Sequence, residues 1–177
     1  MRKIVIAIYL ILLFIIIYLL HANFFVWFNL GGVKPNLFII LILTIGLFAG
    51  KKVGIIFGIL FGIILDFFIS KSIGISAIMF GTIGLIGGYL DKSFSKDSRI
   101  TMIMMIVITT FIYELGIIIF NCIINGASIN LLYIMKTLIV ELIYNSIITI
   151  IIYPLIIKFG YALEENFKEK RILTRYF

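Results

Sequence analysis

The chain has little of what a soluble enzyme uses. Its 177 residues hold one cysteine, one histidine and two prolines. Cys122 stands alone in an apolar run, so no disulfide can form within the chain, and it says nothing about compartment. His21 is the only histidine, which excludes a metal centre built on a histidine cluster. No Ser/His or Cys/His pairing offers a nucleophile with its base, and no GxxxxGK phosphate loop occurs. Charge is scarce as well. Only 13% of residues are charged, where a soluble domain carries about a quarter. Apolar residues fill the gap, at 63% of the chain and a mean hydropathy of +1.27. At about 20 residues per span, six spans take about 120 residues and leave only short loops. No room remains for a soluble catalytic or nucleic-acid-binding domain. The expected protein is an all-α integral membrane protein, a six-transmembrane-helix bundle. Nothing in these residues argues for an enzyme, a catalytic residue or a metal centre.

Six apolar segments are predicted, at about Ile4–Leu20, Asn36–Phe48, Val53–Ile69, Ile73–Leu90, Ile100–Ile124 and Met135–Phe159. The first follows Met1-Arg2-Lys3 but lacks a clear cleavage site, so it reads as a retained anchor. Pro35 opens the second and suits a first helical position. We expect a six-span domain over residues 1–163 and a short basic amphipathic tail over 164–177. Orientation follows from Lys and Arg. With the amino terminus cytoplasmic, twelve basic residues fall inside, and three (Lys34, Lys71 and Lys136) fall outside. Both termini are therefore expected in the cytoplasm. The net charge of +7 indicates this topology and contact with anionic lipid, not nucleic acid.

Glycines recur every four residues at Gly46, Gly50, Gly54, Gly58 and Gly62, and the series ends on Asp66. Residues four apart share a helix face. Gly54, Gly58 and Gly62 therefore make a smooth seam on which another backbone can lie close. Gly81, Gly84 and Gly88 form a second such face on the fourth segment, fit to receive the third. Asp66, Glu114 and Glu141 lie inside apolar segments. From the helical rise they fall about 6 to 9 Å from the outer ends of their spans. Intramembrane acids face partners or wet cavities. Three readings stay open: internal pairing with groups such as Lys71 and Lys136, a contact for a partner helix, or a small-molecule or proton site. The segment His21 to Lys34 is expected outside, with Trp27 in an interfacial aromatic belt.

Several motifs occur in a telling order. Lys34-Pro35-Asn36-Leu37 opens the second segment, and Gly50-Lys51-Lys52-Val53-Gly54 leads through Gly58 and Gly62 to Asp66. Ile73-Gly74, Gly88-Tyr89-Leu90, Tyr144-Asn145 and Tyr153-Pro154 follow. The whole chain in this order resembles the rod shape-determining MreD family. Two departures are visible. Asn36 stands where the family commonly has an acid, and Ser72-Ile73-Gly74 lacks the proline often found at that turn. The resemblance implies a multi-pass protein of the bacterial plasma membrane, in the machinery of cell elongation and peptidoglycan synthesis. It implies a non-enzymatic scaffold that has no cofactor and binds MreC, beside MreB, RodA and a class B penicillin-binding protein. With it, Asp66, Glu114, Glu141, Pro35, Asn36 and Asn145 become the candidate buried polar or partner-contacting residues. The alternative is the substrate-binding S component of an energy-coupling-factor vitamin transporter, whose six-span fold this family is thought to share. That component carries Ala-xxx-Ala in its first span, but here Ala7 is followed by Ile11.

Overall fold

The computed structural model describes residues 2–69, 74–91, 96–125 and 131–168. Lys71, Ser72 and Ile73, the loop holding Ser128, and tail residues 169–177 lie outside the described residues. Six main helices make up the fold: α1 (Arg2–Leu19), α2 (Leu37–Ala49), α3 (Lys51–Ile69), α4 (Ile75–Leu90), α5 (Arg99–Asn125) and α6 (Leu131–Phe167). No strand occurs among the described residues. A π-helical turn, Leu20–Phe24, extends α1 into the short helix Phe25–Trp27. Among the described residues, three helical stretches are long and apolar enough to cross a membrane: Ile4–Trp27, Arg99–Ile123 and Leu131–Phe167.

α2 is the hub and touches all five other helices. Every residue from Leu37 to Ala49 is buried. A helix apolar all round has no solvent face to spare, which is why this run shows no amphipathic stripe. Its 13 residues rise only about 20 Å, less than a bilayer core. Gly50, at φ 90°, lets the chain reverse directly into α3. At the other end of α2, Gly31 (φ 61°) and Gly32 (φ 88°) form the two-residue turn of a small hairpin. Leu30 and Val33 exchange two backbone hydrogen bonds across it, of 2.9 and 3.2 Å. Two positive-φ glycines are what such a turn requires.

The closest packing joins α3 to α4. A Cβ on Gly54 would come within 2.7 Å of Gly46 Cα and of the Gly84 carbonyl oxygen. One on Gly58 would meet the Phe80 backbone, with its carbonyl carbon at 2.7 Å, and one on Gly62 would meet Ala77 N at 2.5 Å. Gly84 abuts Gly54, and Gly88 abuts Lys51. Gly81 differs, because its neighbour is the Ile59 side chain, at 2.9 Å. Gly87 faces α2 instead, near Leu43 O at 2.9 Å and Gly46 Cα at 3.2 Å. The small-residue surface of α4 thus serves two helices.

One end of the bundle is ionic. Lys96 pairs with Asp91 and with Glu164 (2.9 Å), and Lys168 pairs with Asp91 (2.7 Å) and Glu164 (3.2 Å). Lys168 also donates to Leu47 O at 3.2 Å. These contacts tie the last turns of α6 to the ends of α2 and α4. Helix α6 runs from Leu131 to Phe167 with Pro154 inside it, and Lys96 holds Glu164 near its end. Burial raises the Asp91 pKa, but hydrogen bonds from Lys168 and Lys96 outweigh it and hold the carboxyl below its usual range. A carboxyl depressed in the folded state adds stability above its unfolded pKa, and that stability is lost as pH falls through the folded value. Asp91→Asn is expected to lower the thermal midpoint in detergent by an amount worth about 1 kcal/mol at neutral pH. The gap between variant and wild type should close below about pH 4. A gap that persists in acid would contradict this origin.

Candidate functional site

The end opposite the ionic cluster carries a buried polar layer. Asp66 is fully buried near the end of α3. Its Oδ2 accepts from the backbone N–H groups of Gly74 (2.8 Å), Ser76 (3.0 Å) and Ala77 (3.4 Å). These are orphan donors at the start of α4. A carboxylate suits that position twice, as an acceptor and as a negative charge at the positive end of the helix dipole. Asp66 therefore closes the α3–α4 hairpin from across the turn.

Asn36, at the entry to α2, donates its backbone N–H to Asn145 Oδ1 at 2.7 Å. Asn145 is fully buried and donates through Nδ2 to Thr110 Oγ1 at 3.1 Å. One asparagine thus joins α2, α5 and α6. Pro35 precedes the Asn36 cap and so lies outside α2, not at its first helical position as expected; it is buried and presents no N–H to satisfy. The Tyr113 hydroxyl lies in hydrogen-bonding reach of Ser76 and Asn36, and its ring stacks on Phe80 at 5.2 Å.

Glu114 of α5 and Glu141 of α6 bring their carboxyl groups into hydrogen-bonding contact. Asn36 and Asn145 adjoin Glu141. Two bare carboxylates at contact repel, so the pair needs a proton or a cation between them. Glu141 is 6% exposed, and its Oε1 is buried without a hydrogen-bond partner. Asn36 Oδ1 is likewise buried and unpartnered. Lys136 does not supply the missing donor, because it reaches Gly31 O at 3.3 Å instead.

The three membrane acids therefore divide. Glu114 and Glu141 form a pair, while Asp66 stands apart, linked to them through Ser76 and Tyr113. Sequence reasoning missed Ser76, Thr110 and Tyr113. Their one signal was polarity within apolar runs, which many membrane helices share. Trp27 is 87% exposed beyond α1, where Tyr144 donates to the adjacent Phe28 O at 2.5 Å. No cluster of three or more metal-ligating side chains occurs among the described residues.

A family model described as rod shape-determining protein MreD matches residues 1–162. The chain belongs to the MreD family. No curated protein and no solved structure matches. Membership gives the chain a role in rod shape determination, and the motifs that carried the resemblance all lie within the matched residues. In this MreD-family chain, Asn36 and Asn145 bind one another directly, which gives structural meaning to two of those motifs.

Proposed function

We propose that this chain is a non-enzymatic scaffold of the bacterial elongation complex and that it binds MreC through the Glu114–Glu141 pair. The observation that carries the reading is the unpartnered Glu141 Oε1 beside a second orphan acceptor on Asn36. A buried acceptor without a donor costs about 1–3 kcal/mol. A Lys, Arg, Ser or Asn from a partner's membrane helix would relieve that cost, at about 0.6–2 kcal/mol per interhelical hydrogen bond. Asp66, already satisfied within the chain, takes a supporting part. The scaffold would sit in the plasma membrane with six spans and both termini cytoplasmic. MreB, RodA and the class B penicillin-binding protein would be its wider partners in peptidoglycan synthesis.

Depletion is expected to turn rods into rounded or swollen cells, and Glu141→Leu is expected to restore shape poorly although it inserts normally. Full rescue by Glu141→Leu would remove the pair from function. Topology has its own test. Cysteine at Ser98 is expected to be protected from an impermeant reagent added outside, and cysteine at Ser128 to be labelled. The reverse pattern would place the Glu pair in the inner leaflet and end the assignment of its partner segment.

A further inference from the structure

We propose that a groove between α1, α2 and α6 holds one acyl chain of an anionic phospholipid, with the lipid phosphate on Lys158. The groove encloses about 600 Å³. Leu13 and Ile17 of α1, Ile40 and Leu41 of α2, and Leu155 and Phe159 of α6 form its walls. Only two polar side chains line it, Thr44 and Lys158. The Thr44 hydroxyl is already spent on Ile40 O at 2.7 Å. Lys158 is exposed and has no ion-pair partner among the described residues.

The chemistry of the lining favours this occupant. A wall of hydrocarbon carrying a single free cation complements an acyl chain joined to a phosphate. Lys158 lies six residues before Glu164, about 9 Å along α6 from the ionic end. That is the headgroup level if the ionic end faces the cytoplasm, where anionic lipid draws basic side chains. Along α6 the groove runs from Ile152 to Ala162, about 15 Å. Its filling would also brace α1, which buries few side chains besides Leu10 and Phe14.

The test uses full-length protein in nanodiscs of equimolar phosphatidylglycerol and phosphatidylcholine. Retained lipid is counted by native mass spectrometry after transfer to detergent. Wild type should retain phosphatidylglycerol about fivefold over phosphatidylcholine, the worth of one lysine near an anionic surface. Lys158→Gln should lose that preference, while Lys52→Gln, an exposed cation outside the groove, should keep it. Ala162→Trp, at the groove's edge, should reduce retention of both lipids while the protein stays folded. Equal retention of the two lipids by wild type, or an unchanged preference in Lys158→Gln, would overturn the proposal. So would a photocrosslinker at Leu155 that captures protein in native membrane instead of lipid.

Discussion

Asp66→Ala is expected to leave little folded protein. The substitution strands the N–H groups of Gly74, Ser76 and Ala77 at the buried start of α4. Each buried donor left unpaired costs about 1–3 kcal/mol. The sum takes a large part of a typical domain's stability, about 5–15 kcal/mol. Asp66→Asn keeps one acceptor oxygen and loses the charge, so it should fall between the two. The readout is the yield of monodisperse protein in detergent and its thermal midpoint. An alanine variant as stable as wild type would show that the start of α4 does not depend on this carboxylate.

Gly58→Leu should be nearly as damaging. Its Cβ would press on the Phe80 carbonyl, and a backbone cannot turn aside as a side chain can. Overpacking of this kind costs about 1–3 kcal/mol, more where helices must separate. Phe57→Leu, one residue away, trades one half-buried apolar side chain for another and should cost less than about 1.5 kcal/mol. Equal thermal midpoints for the two variants would make the glycine spacing incidental. Gly81→Ala is a finer probe. It meets only the flexible Ile59 side chain, so it should be tolerated better than Gly84→Ala, which meets the Gly54 backbone.

The helices were legible because long apolar runs and basic loops mark them directly. The period of four at Gly54, Gly58 and Gly62 pointed to a shared face. Spacing identifies a face but not its neighbour. It therefore could not separate Gly81, set against a side chain, from Gly84, set against backbone. Nor could it reveal that Gly46 and Gly87 bring α2 into the same seam. The three acids stood out because charge is rare in an apolar run. Their division depended on what surrounds each one. Asp66 answers backbone donors that become orphans only once α4 begins, and the Glu pair exists only when α5 lies beside α6. Asn36, flagged as a departure from a common acid, has its side chain beside Glu141 and also gives its backbone N–H to Asn145. No side-chain pattern encodes that. The ionic cluster joins residues as far apart as Asp91 and Lys168, a separation local reading does not bridge.

The most direct test of the proposed function is capture of MreC from native membrane by Glu114→Gln/Glu141→Gln. This variant keeps the size of both side chains and removes their charge, and Asp66 stays intact so that α4 remains seated. The double variant should insert normally and lose most of its MreC, about tenfold if two interhelical hydrogen bonds are lost at about 0.7 kcal/mol each. Undiminished capture by a folded double variant would contradict the assignment of the Glu114–Glu141 pair as the partner contact. Saturable vitamin binding by the wild type would contradict the scaffold reading itself.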